Sequence, residues 1–140
     1  MSETRSDAEA LPWHEWRSTG SVLVVDDEEP VRKVLARALG KVGITADLAY
    51  NGAEAVSLFS ADPARYRLVM LDLKLPGMDT AAILRELRAL KPGIPVVIMS
   101  GYNRRTADET IEGFGLAGFV SKPFNMEMLV SVLRAALGDA

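Results

Sequence analysis

The sequence contains no cysteine among its 140 residues. Disulfides, thiol catalysis and cysteine-based zinc sites are therefore excluded, and the composition fits a reducing compartment. No apolar stretch is long enough to span a bilayer, and the N-terminus lacks the apolar core of a signal peptide. From these absences we expect a cytoplasmic protein that makes no direct contact with a membrane.

An excess of positive charge is also missing, because 16 Lys and Arg face 19 Asp and Glu for a formal net charge of −3. The densest basic pair away from the termini is Arg104–Arg105, which we interpret as the solvated start of a helix. Nothing indicates a nucleic-acid-binding surface, so we expect no direct contact with nucleic acid. A hydrophobic content of 49% is typical of a globular domain with a real core.

The first part of the chain differs from the rest, and we predict a linker or extension over 1–20 and one domain over 21–138. The segment before the domain carries both tryptophans, Trp13 and Trp16, and the only histidine, His14. A histidine in this place could be a phosphate carrier or a metal ligand, but no second ligand lies nearby. We therefore interpret the segment as a linker whose aromatic side chains dock on another surface.

Strands and helices alternate from Ser21 onward. Apolar runs predict strands at about 21–26, 44–49, 67–72, 94–99 and 117–121. Helical spacing predicts helices at about 29–42, 79–90, 104–114 and 125–137, with another between Asn51–Gly52 and Asp62–Pro63. This alternation indicates a doubly wound α/β domain whose strands are covered on both faces.

Four of the apolar runs end in polar residues: Asp26–Asp27, Asp72, Ser100–Gly101 and Lys122–Pro123. The carboxyl ends of parallel strands share one edge of the sheet, where ligands bind. Three carboxylates in one cleft repel each other strongly unless a cation lies among them. Mg2+ prefers a few carboxylates together with phosphate oxygens, so this edge suits Mg2+ and a phosphoryl group. The alternative is that Asp27 only caps the first helix.

Asp72 is the candidate nucleophile, because a carboxylate can attack phosphorus to give an acyl phosphate. We expect Lys122 to bring a second positive charge to the phosphoryl oxygens and Ser100 to donate its hydroxyl. Gly101 leaves space for such a group. An X–Pro bond is cis at modest cost, and a cis bond before Pro123 would turn the lysine into the cleft.

The segment 113–118 (GFGLAG) matches the dinucleotide-binding pattern GxGxxG. It follows a predicted helix and precedes a predicted strand, which is the reverse of the order in a dinucleotide site. We therefore predict a helix stop and a turn at this place.

The chain from about Ser21 to Gly138 resembles the receiver domains of response regulators in two-component signalling. The resemblance lies in four motifs, which are 22–28 (VLVVDDE), 70–79 (MLDLKLPGMD), 99–102 (MSGY) and 118–124 (GFVSKPF). It implies a flavodoxin-like (βα)5 three-layer sandwich with a five-stranded parallel sheet of order 2-1-3-4-5. One departure from the family is Thr80, which stands where the family usually has glycine.

The resemblance implies that Asp72 accepts a phosphoryl group from a phosphohistidine on a histidine kinase or a histidine phosphotransfer protein. It also implies that Mg2+, or Mn2+ in its place, is held by Asp26, Asp27, Asp72 and the backbone carbonyl of Lys74. The only reactions expected of such a domain are its own phosphoryl transfer and slow hydrolysis. We expect such a module to be a monomer or a weak homodimer.

The resemblance also implies a switch, in which Ser100 moves and the aromatic ring of Phe119 rotates inward. The output face consists of the predicted helix at 104–114, the fifth strand and the last helix. By the same resemblance, the side chains of Lys74 and Tyr102 lie where the family tunes the lifetime of its acyl phosphate, and Gly101 is a further tuning position.

Two other functions compete with this one. A haloacid-dehalogenase-like phosphatase also uses an aspartate, a lysine and Mg2+, but it places a second aspartate two residues after the nucleophile, where this chain has Lys74. A pseudo-receiver only binds partners, and the complete set of acidic, hydroxyl and ammonium groups argues against it. The segment around Trp13 and Trp16 is similar to the joint before the C-terminal receiver of hybrid sensor histidine kinases, which suggests such an origin.

Overall fold

The computed structural model describes residues 11–75, 79–101 and 113–138. Five strands lie within them, which are β1 (Ser21–Val25), β2 (Thr45–Ala49), β3 (Tyr66–Asp72), β4 (Val96–Ser100) and β5 (Gly118–Ser121). Four α-helices accompany them, which are α1 (Glu29–Lys41), α2 (Gly52–Ala61), α3 (Thr80–Leu90) and α4 (Met126–Leu137). The predicted helix at 104–114 lies outside the described residues, apart from Gly113 and Phe114, which form a turn.

The strands form one parallel sheet in the order β2-β1-β3-β4-β5, as the resemblance implied. Strand order reverses at β1, and the crevice beside such a reversal is the usual ligand site of a doubly wound sheet. In the register of β1 and β3, Val25 lies opposite Leu71. Asp26 and Asp72 are therefore the next residues on two neighbouring strands.

Alternate residues of each strand face opposite layers, because side chains in a strand have a period of two. Leu23 and Val25 pack in a cluster with the buried side chains of α2 and α3, such as Phe59 and Leu84. Val22 and Val24 pack in a second cluster with Leu35 of α1 and with side chains of α4. The domain is therefore the predicted three-layer sandwich, with a core on each side of the sheet.

The first helix begins differently from the other three. A side chain caps each of α2, α3 and α4 by accepting a backbone N–H, and these caps are Asn51, Asp79 and Asn125. The residue before α1, Glu28, makes no such bond, and its own N–H donates to Asp26 Oδ1 at 2.9 Å. The N-cap position of α1 is thus occupied by Glu28 and not by Asp27, which instead lines the cleft at the sheet edge.

The segment 11–20 lies against the domain. Trp16 is 1% exposed and belongs to the core cluster between α1, α4 and the sheet. The backbone N–H of Ser18 donates to the Val42 carbonyl, and that of Thr45 donates to the Gly20 carbonyl at 2.9 Å. The expected docking surface of the aromatic side chains is thus, for Trp16, the domain itself.

The glycine-rich segment before β5 is a turn. Gly113 and Gly115 have φ of 93° and 62°, in the left-handed region that glycine adopts at little cost. Both glycines precede β5, whereas a dinucleotide-binding loop follows a strand and precedes a helix. The match to the GxGxxG pattern is therefore one of sequence only.

Candidate functional site

A cleft of about 420 Å³ opens at the carboxyl-terminal edge of the sheet. Residues from the ends of β1, β3, β4 and β5 line it, namely Asp27, Glu28, Asp72, Lys74, Ser100, Gly101 and Lys122. Asp26 is fully buried and hydrogen-bonded to Lys122 of this lining. The structure thus brings together the polar ends of the four apolar runs, because parallel strands deliver their carboxyl ends to the same side.

The cleft contains an acidic cluster. Asp26, Asp27 and Asp72 each offer a carboxylate oxygen, and these oxygens lie within 4.8 Å of one another. Asp26 and Asp72 are buried, whereas Asp27 is exposed and faces the cleft. A set of oxygen donors that is open on one side fits a hard divalent cation that keeps part of its water shell.

Lys122 lies between the two buried carboxylates. Its Nζ donates to Asp26 Oδ2 at 2.8 Å and lies 3.5 Å from Asp72 Oδ2. Its backbone N–H donates to the Ser100 carbonyl at 2.8 Å, and the bond that follows it, Lys122–Pro123, is cis. The ammonium therefore offsets part of the negative charge that the cluster gathers.

Burial and neighbouring charges shift the pKa of two groups in the site. The pKa of Asp72 is raised to about 6, mainly by burial and also by the negative charge of Asp26. The ammonium of Lys122 and the Lys74 amide oppose this increase in the pKa of Asp72. Burial alone lowers the pKa of Lys122, but its hydrogen bond to Asp26 and the charge of Asp72 together raise that pKa. At neutral pH Asp72 is therefore mostly ionised and Lys122 is charged.

The loop after β3 is held at several points. Leu73 N–H donates to the Met99 carbonyl at 2.9 Å, and Lys74 N–H donates to Asp72 Oδ1 at 3.3 Å. The buried hydroxyl of Thr80 donates to the Leu73 carbonyl at 2.7 Å. Residues 76–78 of this loop lie outside the described residues.

The other predicted site residues lie as follows. Ser100 is 2% exposed at the end of β4, and Gly101 and Lys74 are exposed at the rim of the cleft. Phe119 is half-buried on β5 and packs against the core cluster on the α2 and α3 side. Tyr102 lies outside the described residues.

Two residues support the site in ways that the sequence did not indicate. Arg32 on α1 donates from Nη1 to the Asp26 backbone carbonyl at 2.7 Å, so that the backbone after β1 is hydrogen-bonded to the helix. Its spacing of six residues from Asp26 carries no recognisable signal. Thr80 stood out in the sequence as a departure from the family, but its hydrogen bond to the Leu73 carbonyl could not be foreseen.

Comparison with known proteins gives consistent matches. The family model for the response regulator receiver domain matches residues 22–134. The uncharacterized transcriptional regulatory protein YkoG of Bacillus subtilis (strain 168) is 34% identical over 118 residues, which cover 84% of this chain and 51% of YkoG. The DNA-binding transcriptional regulator NtrC of Escherichia coli (strain K12) is 34% identical over 119 residues, which cover 84% of this chain and 25% of NtrC.

One solved structure is similar in fold and carries ligands. It is a response regulator protein from Burkholderia pseudomallei with a phosphorylated aspartic acid, a calcium ion and citrate. It is 27% identical with a TM-score of 0.71, and the match covers 84% of this chain and 66% of that one. The chain spans about half the length of YkoG and a quarter of NtrC. With a family match over most of its length, this chain belongs to the receiver domain family of response regulators.

Proposed function

We propose that Asp72 is the residue of this receiver domain that accepts the phosphoryl group. Membership of the family makes the domain a phosphoacceptor of two-component signalling, and the proposal concerns which residue does the work. It rests on one observation above all: a buried carboxylate ends β3 in an open cleft, 3.5 Å from the ammonium of Lys122. The phosphorylated aspartic acid of the Burkholderia pseudomallei protein supports the same chemistry.

In the proposed transfer, a carboxylate oxygen of Asp72 attacks the phosphorus of a phosphohistidine on a partner. The new P–O bond forms as the P–N bond breaks, and the electron pair of that bond stays on the imidazole nitrogen, which takes up a proton. Receiver domains in general interact with histidine kinases or histidine phosphotransfer proteins, and one of these is the proposed donor here. The neighbours of Asp72 stabilise the charge that develops during the transfer.

Lys122 and Ser100 are the proposed partners of the transferred group. The Lys122 ammonium lies 3.5 Å from the acceptor carboxylate, so it can follow the charge from the carboxylate to the phosphoryl oxygens. Ser100 ends the neighbouring strand β4 and lines the same cleft, where its hydroxyl can donate to a phosphoryl oxygen.

Mg2+ is the proposed cofactor, with Mn2+ as a substitute. The residues that would hold it are Asp26, Asp27 and Asp72, together with the backbone carbonyl of Lys74. The three carboxylate oxygens lie within 4.8 Å of one another and fit this ion. When bound, such a cation would withdraw charge from the phosphoryl oxygens. Without it, the same carboxylates repel each other, and the Lys122 ammonium offsets part of their charge.

The proposed readout of phosphorylation begins at Ser100 and Phe119. A movement of Ser100 toward the phosphoryl group would let the half-buried ring of Phe119 pack further inward. Phenylalanine has no hydroxyl, so packing alone carries the change to the output face, which we place on β5, α4 and the predicted helix at 104–114. Lys74, Gly101 and Tyr102 are the proposed residues that tune the lifetime of the acyl phosphate.

The phosphatase and the pseudo-receiver are not favoured by the family match. A phosphatase of the type considered needs an acid two residues after its nucleophile, and Lys74 stands there. A binding module needs no acidic cluster beside an ammonium, and such a cluster costs stability.

Intact-mass measurement after incubation with acetyl phosphate and Mg2+ tests the proposal. We expect the mass of one phosphoryl group to be added to the wild-type chain and not to Asp72→Asn. Asp62→Asn is the matched control, since Asp62 is an exposed aspartate at the end of α2, and it keeps the adduct. An adduct that persists in Asp72→Asn would show another acceptor, and no adduct in the wild type would favour a binding module.

The proposal extends to the whole chain and its surroundings. The extension over 1–20 and the receiver domain over 21–138, the cytoplasmic location, and the monomer or weak homodimer are proposals. So are the origin from a hybrid sensor kinase and the absence of direct nucleic-acid and membrane contact. NtrC is described as DNA-binding, and this chain matches a quarter of it. No described helix combines the length and hydrophobicity that a membrane crossing requires.

A further inference from the structure

The peptide unit that joins Leu73 to Lys74 makes a contact at each end. Its carbonyl oxygen accepts the hydroxyl of Thr80 at 2.7 Å, and its N–H donates to Asp72 Oδ1 at 3.3 Å. A peptide unit is planar, so its C=O and its N–H turn together. A hydroxyl that holds the carbonyl therefore also sets the direction of the amide that faces Asp72.

Thr80 is well placed to hold this peptide still. It is the first residue of α3 and is 4% exposed, and the helix start is capped by Asp79, which accepts the Ala82 N–H at 2.8 Å. Further along, α3 buries Ile83, Leu84 and Leu87 completely in the core. The hydroxyl is thus mounted on an element that the core anchors.

A second restraint acts on the other side of Leu73, whose N–H donates to the Met99 carbonyl of β4 at 2.9 Å. The chain directly after Asp72 is therefore held by β4 through one peptide and by α3 through the next. A hydrogen bond accepted by a carbonyl also polarises its peptide and strengthens the N–H as a donor. Loss of the Thr80 hydroxyl removes both the restraint and this polarisation.

We infer that Thr80 is a positioning residue for the acceptor carboxylate, which it orients through the peptide unit between Leu73 and Lys74. Thr80 does not have to touch the phosphoryl group for this role. The inference rests on the proposed function of Asp72, because it gives the oriented carboxylate its purpose.

The test compares Thr80→Val, which keeps the shape and loses the donor, with Thr80→Ser, which keeps the donor. The measured quantity is the rate constant of Asp72 phosphorylation at saturating acetyl phosphate and Mg2+. We expect a fall of about five- to tenfold in Thr80→Val, the size of effect that one hydrogen bond supplies. Thr80→Ser should stay within about twofold of the wild type, because its hydroxyl reaches the same carbonyl.

A second readout needs neither donor nor cation. It is the NMR chemical shift of the Lys74 amide proton. This shift should be the same in the wild type and in Thr80→Ser, and should move upfield in Thr80→Val as the hydrogen bond to Asp72 weakens. A role limited to stability predicts no such difference between folded variants. Should Thr80→Val fail to fold, Thr80→Ala and Thr80→Ser are compared by the same two measurements.

The outcomes separate this inference from the proposed function. Phosphorylation of Asp72 at equal rates in wild type and Thr80→Val, with an unchanged Lys74 amide signal, overturns the inference alone. Absence of an adduct in the wild type overturns the proposed function, and the Lys74 signal then decides whether Thr80 orients the peptide. A slow Thr80→Ser variant also counts against the inference, because the hydroxyl is then not the group that matters.

Discussion

Lys122 is hydrogen-bonded to Asp26, with 2.8 Å between Nζ and Oδ2, although these residues lie 96 positions apart in the chain. The ammonium is therefore closer to the buried carboxylate at the end of β1 than to the proposed acceptor. A buried carboxylate needs a counter-charge, and in the absence of a cation this lysine supplies it. The same ammonium thus has a structural task before any phosphoryl group arrives.

Lys122→Met should destabilise the cation-free domain by about 2 to 4 kcal/mol, because it leaves the fully buried carboxylate of Asp26 without its cation. The loss should shrink when Mg2+ is added, since a cation among the carboxylates offsets the same charge. Urea unfolding with EDTA and with Mg2+ measures both quantities. An equal loss under the two conditions would contradict a shared electrostatic role.

The matched control for this prediction is Lys33→Met. The side chain of Lys33 is 71% exposed, and its Nζ lies 3.5 Å from Glu29 Oε2 on the same face of α1. Exposed pairs of this kind contribute little, so we expect a change below about 0.5 kcal/mol. A large effect in this variant would mean that removal of any lysine perturbs the domain.

Asp72→Asn should stabilise the cation-free protein at neutral pH. Burial and the charge of Asp26 raise the pKa of Asp72 from 3.8 to about 6. The carboxyl of Asp72 holds its proton more tightly in the folded state than in the unfolded state. Its contribution to the free energy of unfolding is therefore complete below pH 3.8 and is lost as the pH rises through about 6. The free energy of unfolding of the variant should therefore exceed that of the wild type by about 1 to 3 kcal/mol above neutral pH, and by less than about 1 kcal/mol near pH 4.

Urea unfolding in EDTA across this pH range measures the difference. Asp62→Asn serves again as the control, because that exposed aspartate lies outside the acidic cluster. A stability difference for Asp72→Asn that stays constant with pH would argue against titration of this carboxylate in the range given. A loss of stability at neutral pH would mean that its hydrogen bonds outweigh the repulsion from Asp26.

The architecture could be predicted from the sequence because its strands are apolar on both faces. Runs such as Val22–Val25 and Leu68–Leu71 are apolar on both faces, which is typical of parallel strands between two layers of helices. Parallel strands share one carboxyl edge, so the convergence of Asp26, Asp72 and Ser100 follows from topology alone.

The finer contacts of the site could not be predicted in the same way. Whether Lys122 pairs with Asp26 or Asp72 depends on distances that differ by less than an ångström, and no periodicity encodes them. The bond from Thr80 to Leu73 spans a loop whose path the sequence does not specify. The burial of Trp16 could not be predicted either, because a local pattern says nothing of a core that assembles from distant strands.

Tyr66→Phe should cost about 1 to 2 kcal/mol, the value of one hydrogen bond to a charged acceptor at a partly exposed site. The Tyr66 hydroxyl donates to Asp47 Oδ2 at 2.7 Å, while its ring stacks on Phe59 and would stay there in the variant. Urea unfolding at neutral pH measures the loss. Tyr50→Phe is the control, since Tyr50 is 55% exposed and its replacement should change stability by less than about 0.5 kcal/mol.

The same bond has a signature at alkaline pH. Burial and Asp47 raise the pKa of Tyr66 to about 12 from 10.0, so the proton is bound more tightly in the folded state. The contribution of this hydroxyl to the free energy of unfolding is therefore complete below pH 10.0 and is lost as the pH rises through about 12. Ultraviolet titration should show a late tyrosinate signal that Tyr66→Phe removes. If that signal remains in the variant, it belongs to another tyrosine.

Trp16→Ala should be the most damaging substitution in the segment before β1, at about 3 to 5 kcal/mol, because it empties a large site in the core between α1 and α4. Trp13→Ala is its matched control, since Trp13 is 38% exposed and should cost less than about 1 kcal/mol. Urea unfolding followed by circular dichroism compares the two without relying on tryptophan emission. If both variants cost the same small amount, residues 11–20 do not pack on the domain in solution, and Trp16 is a linker residue as its local sequence suggests.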